Sequence, residues 1–574
     1  MREGHALTSS GQTTGGSIRP GPLRRAVDLI VDTLLELGVS TFYGIPGAAI
    51  SPVYDALLEH PEARVITARH ETGAAFMAMG HARMSGGPVC LLMTSGPGIT
   101  NAVTGLAAAA AEGLPLIAIG GEVPRSRFGH GALQEGSSYQ LNILGMVRSI
   151  AKYAAEIAVP DTAAVIVRKA VATALSGRRG PVFLTLPLDV ATALAVPVHT
   201  TTRVQTSFEL DRAVLAESAA AITNARHPLI LAGSGVRHGA GQRLLLELAE
   251  RCQIPVATSP KAKGAIPESH PLALGVFGYG GHPSTTRYLA QGIDVLLCVG
   301  CGLGETSTNN WSPLLQATDK QIQIDIESTQ IARNYKVDIG LVGPADRVLA
   351  ALIEHLPARE RHAQGYGVEY GQAAQLSSNE LPLRPARVVR LLQELMPEDT
   401  VFTSDIGEHL LFAVHYLRIE RPDAFIANIA LGSMGSGLGA AIGAKIAQPG
   451  RPVMAICGDH GFQMYGMELA TCVQNRVGVV FAVFNDARMT MVESGFFHVY
   501  GREQRVSSHR LDLARLASAL GAHGFHIRTH DELASVPREL LCGELPTVLD
   551  IEIDPTASFG LSSRDDSLKH FEKD

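Results

Sequence analysis

Aromatic side chains are scarce in this 574-residue chain: Phe, Trp and Tyr make up 5%, and the single tryptophan is Trp311. That composition disfavours a surface of stacking rings, whereas the 59 glycines suit close packing of helices on sheets. No stretch approaches the ~18 consecutive apolar residues of a membrane span, so no membrane partner is expected. Excess positive charge is also missing. The formal net charge is −7, and nucleic-acid-binding domains usually carry a basic face, so nucleic acid is not an expected partner. The seven cysteines (Cys90, Cys252, Cys298, Cys301, Cys457, Cys472 and Cys542) are scattered, mostly inside apolar runs, where Cys behaves as a small hydrophobe. Cys298 and Cys301 have C-x-x-C spacing, but with no second pair or histidine cluster zinc or redox chemistry is not expected. Residues 1–21 are rich in Gly, Ser and Thr and lack the apolar segment of a secretory signal. They read as a disordered leader on a soluble cytoplasmic protein.

What is present is a recurring pattern of short apolar strands and helices. Single cores stop growing near about 250–300 residues, so several domains are expected, and three segments emerge. The first, 22–197, opens with a helix whose stripe is Val27, Ile30, Val31, Leu34 and Leu37, closed by Gly38. Strands follow at Val39–Tyr43, Val65–Ala68, Val89–Met93, Leu116–Ile119 and Val182–Leu186. A polar linker, His199–Ser207, leads to the second segment, 208–356, with strands at Leu229–Ala232, Val295–Val299 and Ile322–Ile326. A second linker, His362–Leu381, precedes the third segment, 382–555, with strands at Val401–Thr403, Val453–Cys457, Val479–Phe484 and Thr547–Ile553. Residues 556–574 form a charged tail. Apolar strands alternating with helices imply α/β domains, each a doubly wound parallel sheet covered on both faces. Ligands then sit at the carboxyl ends of the strands.

The strongest chemical signal follows two strands of the third segment. Val453–Cys457 ends in Gly458-Asp459-His460-Gly461, with a helix expected from Met464 to Gln474. Val479–Phe484 ends in Asn485-Asp486-Ala487-Arg488-Met489-Thr490. Consecutive βαβ strands usually neighbour each other, which would bring Asp459 and Asp486 together. A diphosphate cannot lie against carboxylates alone. A hard divalent cation such as Mg2+ bridges the two, taking oxygen ligands from both, while glycines and a helix N-terminus accommodate the anion. The plain alternative is a strand-turn-helix with a capping Asp.

This pair of loops resembles the motif of thiamine diphosphate-dependent enzymes, Gly-Asp-Gly followed at this distance by Asn-Asn. Here His460 and Asp486 stand in the variant places. The resemblance implies that Asp459 and Asp486 ligate the metal through side chains and Arg488 through its carbonyl. Gly458, His460, Gly461, Met489 and Thr490 would line the cofactor. Arg69-His70-Glu71-Thr72-Gly73-Ala74-Ala75 resembles the family's activating signature. It makes Glu71 the residue that hydrogen-bonds the aminopyrimidine and promotes loss of the reactive carbon's proton. Further stretches match. Phe42–Asp55, including Pro46, Gly47 and Ala48, is similar to the opening loop of acetolactate synthases. Thr94–Asn101, with Ser95 and Pro97, is similar to the loop that lies behind the pyrimidine in the family. Leu431-Gly432-Ser433-Met434-Gly435 implies that Met434 wedges the cofactor into its bent form; core packing is the simple alternative. Gly407-Glu408-His409 stands where the family has Gly-Gln-His near the diphosphate, so Glu408 is a departure. The likeness spans about Pro22 to Ile553. It implies pyrimidine-binding, middle and diphosphate-binding domains in that order, sites shared between Glu71 of one chain and Asp459 of another, and a homodimer at minimum, often a homotetramer.

The acetolactate synthase branch (large, catalytic subunit) is the nearest in pattern. Gly131–Glu135 parallels a segment in which Gln134 would touch substrate, and Lys152 falls where these synthases have a Lys that could face a carboxylate. No two of the 21 histidines are adjacent, which disfavours the pyruvate decarboxylase branch. Two departures remove aromatic bulk: Leu133 replaces a Phe, and Gly495 stands where biosynthetic members have a Trp. They imply a differently shaped acceptor site. The reaction expected is decarboxylation of a 2-keto acid, with pyruvate as the candidate, and transfer of the acyl carbanion to a second carbonyl compound. A simple decarboxylase or lyase and an acetyl-transferring relative are the alternatives, with a non-catalytic regulatory paralogue more remote. Leu231-Ala232-Gly233-Ser234-Gly235 in the middle segment reads as a tight strand-helix turn rather than an FAD site.

Overall fold

In the computed structural model of the chain, the described residues are 23–197, 208–359, 365–504, 506 and 509–560. The leader, the His199–Ser207 linker, residues 362–364 of the second linker and the tail from 561 lie outside them. The first helix, α1 (Ala26–Glu36), buries Val27, Ile30, Val31 and Leu34 and ends before Gly38 at φ +84°, a left-handed stop that glycine takes without strain.

Three six-stranded sheets carry the chain, and within them every strand pairing is parallel. The first contains β1 (Thr41–Gly44), β2 (Arg64–Thr67), β3 (Val89–Met93), β4 (Leu116–Glu122), β5 (Tyr153–Glu156) and β6 (Val182–Pro187), in the order β2-β1-β3-β4-β6-β5. The middle sheet contains β7 (Leu229–Ala232), β8 (Val256–Thr258), β9 (Ala273–Val276), β10 (Val295–Val299), β11 (Lys320–Asp325) and β12 (Ile339–Val342). Its order, β9-β8-β7-β10-β11-β12, is that of the doubly wound dinucleotide folds. The third contains β13 (Val401–Ser404), β14 (Phe425–Ala427), β15 (Val453–Gly458), β16 (Val480–Asn485), β17 (His523–Ile527) and β18 (Thr547–Glu552), in the order β14-β13-β15-β16-β18-β17. The first and third sheets therefore share one wiring. Six strands were not expected from the sequence (β5, β8, β9, β12, β14 and β17); most are short and several lie at sheet edges, where the apolar run is weakest. No helix among the described residues is long and apolar enough to cross a membrane.

The outer domains meet through helices. α2 (Glu71–Ser85) follows β2, and α3 (Pro97–Glu112) follows β3. In the third domain α4 (Glu408–Tyr416) follows β13, and α5 (Ser436–Ala447) follows β14. α2 and α5 touch backbone to backbone. A methyl group on Gly80 would lie 2.1 Å from the Ala440 carbonyl oxygen, and one on Gly443 would lie 1.8 Å from that of Met77. One continuous hydrophobic cluster consequently runs through both domains, joining Phe76 and Met79 to Leu438, Ile442 and Phe462. A buried ionic junction ties in the middle domain. The Glu112 carboxylate accepts from Arg83 at 2.9 Å and from the Ala430 N–H at 2.8 Å, and lies 3.4 Å from Lys261. Burial would raise the Glu112 pKa, but Lys261 and Arg83 outweigh it and hold it below the usual value.

The middle domain's glycine turn is filled by the protein itself. A methyl on Gly233 would lie 2.2 Å from the Gly300 oxygen, and one on Gly235 2.7 Å from the Gly300 Cα. Cys298 and Cys301 are buried free thiols, as are Cys90, Cys252, Cys457 and Cys472; Cys542 is exposed.

The α2–α5 contact yields a direct expectation. Gly443→Ala should destabilise the protein by about 1–3 kcal/mol through overpacking, read as a lower denaturant midpoint. Gly450→Ala, where a methyl meets nothing within 4 Å, is the matched control.

Candidate active site

Two clusters of loops gather at strand ends, one in each outer domain. In the first domain the loops after β1, β2 and β3 and the 129–137 loop converge. Gly47 lies on Thr94, where a methyl would approach the threonine to 2.5 Å. Gly98 lies 3.4 Å, by the same measure, from Glu71 Oε1. Glu71 is the first residue of α2, 7% exposed, and its Oε2 accepts from Asn101 Nδ2 at 3.0 Å. Ser95 is 1% exposed, while Pro46, Ala48 and Pro97 face solvent. Gln134 adopts φ +62° and its Cα and Cβ press on Gly96. Its neighbour Glu135 holds that loop by accepting from Gly129 N at 2.7 Å and Ser137 Oγ at 2.5 Å. Leu133 is 87% exposed.

In the third domain β15 and β16 are neighbours, so Asp459 and Asp486 emerge from adjoining strand ends. α6 (Asp459–Tyr465) starts on the aspartate itself. The expected helix from Met464 to Gln474 is corrected: α6 begins five residues earlier, and a 3-10 turn, Gly466–Glu468, separates it from a second helix, Leu469–Asn475. The hydrogen bonds of Asp459 come from His460, at 2.8 Å from its N–H and 3.0 Å from its ring, both to Oδ1; Oδ2 has no hydrogen-bond partner among the described residues. Asp486 accepts from Arg488 N at 3.1 Å and from the Thr490 hydroxyl. Burial raises the Asp486 pKa, and the Asp459 charge adds to that. Arg488, the nearest cation in sequence, turns its guanidinium to Glu493 and the Pro555 carbonyl instead. A buried and a partly buried carboxylate that repel each other, one with an oxygen left over, form a donor set suited to a hard divalent cation.

The remaining loops of this cluster close around the same point. Asp405 is fully buried and accepts from Gly435 N at 2.7 Å and Gly437 N at 3.0 Å. Burial pushes it up to about 6. A methyl on Gly461 would lie 2.3 Å from Asp405 Oδ2. His409 stands over Gly458 and Gly407, and its Nε2 is buried without a partner among the described residues, as is Ser436 Oγ. Buried polar atoms are normally satisfied, so these two donors point to a polar ligand, and a diphosphate fits. Met434 and Ser433 are partly exposed and Gly432 is exposed, which sets aside core packing for Met434.

Two residues singled out in the sequence have other partners here. Lys152 Nζ donates to the carbonyls of Thr173, Ser176 and Arg178 at 2.6–2.8 Å, capping the end of helix Ala163–Leu175, and the one carboxylate whose charge acts on it is Glu327, among the described residues. The Glu408 carboxylate accepts from Ser558 Oγ at 2.6 Å and Phe559 N at 2.7 Å, so it holds the C-terminal segment. Gly495 lies within α7 (Thr490–Tyr500), which exposes Met491, Val492, Phe497 and Tyr500. The sequence reading passed over three residues of this region: Asp405, Glu468 and Asp550, which accepts from Asn485 at 2.8 Å; it included Asn101 in the Thr94–Asn101 stretch without giving it a role of its own. Asp405 sits two residues before the Gly407-Glu408-His409 stretch, which is the one local signal it gives.

Family models for thiamine pyrophosphate enzymes match the chain in three places. The N-terminal TPP binding domain covers residues 24–141, the central domain 215–352 and the C-terminal TPP binding domain 405–551. The chain is 34% identical over 559 residues to a probable acetolactate synthase large subunit of Methanocaldococcus jannaschii, covering 92% of each chain. The chain belongs to the thiamine pyrophosphate enzyme family. It is also 30% identical over 539 residues to acetolactate synthase isozyme 1 large subunit of Escherichia coli, over 92% of this chain and 93% of that one. With the mitochondrial catalytic subunit of acetolactate synthase from Saccharomyces cerevisiae the identity is 30% over 90% of this chain and 79% of the relative. As in the family models, the two loop clusters lie in the two terminal domains of this thiamine pyrophosphate enzyme.

Burial pushes His409 down to about 4 from an ordinary 6.5, so its ring is neutral at neutral pH and offers a hydrogen bond, not a charge. A depressed base is protonated first in the unfolded chain, so its contribution to stability is lost as pH falls from about 6.5 to 4. His409→Gln should therefore show a smaller drop in unfolding midpoint between pH 7 and pH 5 than the parent; equal drops would contradict this placement.

Proposed function

We propose that this chain is a thiamine diphosphate- and Mg2+-dependent carboligase that decarboxylates a 2-keto acid, pyruvate first among candidates, and transfers the acyl group to a second carbonyl compound. The observation that carries the reading is the division of chemistry between two domains. The third domain has a carboxylate pair that calls for a cation, and the first has a buried, oriented Glu71. The acetolactate synthase names of the relatives support the reaction class.

When bound, the cofactor supplies a nucleophilic carbon beside its ring sulfur, and the hard chemistry is its own. Asp459 and Asp486, with the Arg488 carbonyl, hold the metal. Gly458, His460, Gly461, Met489 and Thr490 line the diphosphate, together with Gly407, His409 and the Gly432–Ser433 turn. Met434 orients the rings by contact. Glu71 holds a proton at the aminopyrimidine, kept in place by Asn101, and Pro46, Gly47, Ser95 and Pro97 enclose that ring. Gln134, Ala48, Leu133 and Gly495 border the acceptor space, where the missing aromatic bulk admits larger acceptors than a tight pocket would.

Within one chain no hydrogen bond joins Glu71 to Asp459 or Asp486 among the described residues. We assign each complete site to two chains, Glu71 from one and Asp459 from the other. A homodimer is then the smallest active unit, and pairs of dimers give a homotetramer. Leu133, Tyr139 and Leu141 on one side and Leu431, Met464, Met467, Phe497 and Tyr500 on the other are exposed and apolar. Such surface beside two half-sites is what a partner copy would cover. The enzyme acts in the cytoplasm and needs no FAD.

Incubation with pyruvate and Mg2+-loaded cofactor, with and without an added aldehyde, tests the reaction. An acyloin that appears with the aldehyde is expected; release of acetaldehyde alone would replace carboligation with simple decarboxylation. Glu71→Gln should lower turnover by about 10²-fold or more, the scale of general acid–base catalysis, with little change in metal binding by calorimetry. Asp459→Asn should do the reverse, weakening metal binding first.

A further inference from the structure

Directly after the Asp459 loop and α6, the third domain places a carboxylate that reaches back to the first domain of the same chain. Glu468 is 2% exposed. Its Oε1 accepts from His70 N at 3.0 Å and Arg69 N at 3.1 Å, and its Oε2 from Arg69 N at 3.1 Å and Thr471 Oγ1 at 2.7 Å. Arg69 and His70 immediately precede Glu71.

We propose that Glu468 is a positioning residue for Glu71: it fixes the backbone from which the activating glutamate projects. The inference rests on the reading of Glu71 given above. Several neighbours make this a built contact. Gly73 leaves the space that Glu468 occupies, since a methyl there would lie 2.3 Å from Oε1. Tyr465 sets its ring edge-on to His70 and Phe76. Arg69 donates to Gln474 Oε1 at 2.8 Å. The first turn of a helix leaves N–H groups without intrahelical partners. His70, the N-cap, satisfies the Thr72 N–H through its own ring, at 3.1 Å, and Glu468 takes the N–H groups of Arg69 and His70, immediately before the helix. A carboxylate there also complements the positive end of α2. Burial raises the Glu468 pKa, and its three donors pull against that rise.

The Glu468 carboxylate touches neither the Glu71 side chain, which is oriented by Asn101, nor the metal ligands. Its loss should therefore leave cofactor binding in place and disturb only the aim of Glu71. The variants are Glu468→Gln, which keeps one acceptor, Glu468→Ala, and Gly73→Ala, which crowds the same contact from the other side should Glu468→Ala fail to fold. Amide exchange on the cofactor-free protein should show protection at Arg69 and His70 falling by about tenfold or more, as expected when charge-assisted hydrogen bonds are lost. Calorimetry should show affinity for thiamine diphosphate and Mg2+ within about threefold of the parent. Exchange of the bound cofactor's reactive proton, followed by NMR, should slow by about tenfold or more. Unchanged protection, or lost protection with unchanged proton exchange, overturns the proposal, as does a parallel collapse of affinity. Failure of the parent protein to bind the cofactor would refute the functional reading instead, and the amide protection would still report on the contact.

Discussion

The backbones of α2 and α5 lie so close that neither Gly80 nor Gly443 has room for a methyl group. Close approach by glycine trades side-chain burial for backbone proximity and fixes the distance between two helices tightly. Here it fixes the distance between the first and third domains, and much else follows from that. α2 begins at Glu71, and the loop that leads into α5 contains Gly432, Ser433 and Met434. The shared core through Phe76, Leu438 and Phe462 makes the two outer domains one mechanical body. The reach of Glu468 to Arg69 and His70 is possible only because that body holds its shape.

Electrostatics then divides the labour between the two ends of this body. At the third domain the protein places carboxylates where burial and mutual repulsion leave them short of positive charge, and it directs Arg488 elsewhere, to Glu493. At the first domain Glu71 is buried, with Gly98 against its Oε1 and one amide donor, Asn101, on its Oε2. At the junction of all three domains the opposite choice is made. Glu112 is fully compensated by Arg83, Lys261 and a backbone N–H, which is the condition under which a buried charge is tolerable. The compensated carboxylate holds the frame, and the uncompensated ones face ligand space.

The sequence carried much of this in plain view, and its limits are physical. Strands such as Leu229–Ala232 and Val295–Val299 were legible because a central parallel strand is buried on both faces and reads as an unbroken apolar run. Phe425–Ala427 and Tyr153–Glu156 were not, since they are short and lie at sheet edges. Glycine-bearing loops around Asp459, Glu71 and Ser95 could be read locally because each motif is contiguous. What could not be read was anything made by distant segments: Glu468 lies 399 residues from Arg69, and neither position signals the other. Lys152 shows the converse. It sits at a suggestive place in the chain, yet its amine donates to three carbonyls at the end of helix Ala163–Leu175, a partner set the local sequence does not announce.

The identical strand order of the first and third sheets has a geometric consequence. In both, the first strand leads to a glycine turn (Pro46–Gly47 in one, Gly407 in the other) and the third to a loop of the candidate site, Ser95 or Asp459. In each the second strand leads into the helix that makes the interdomain contact. Equivalent helices therefore meet across that contact, each supplying a glycine where the other's backbone arrives, and the two domains face each other as near-symmetric halves with different side chains at matching strand ends.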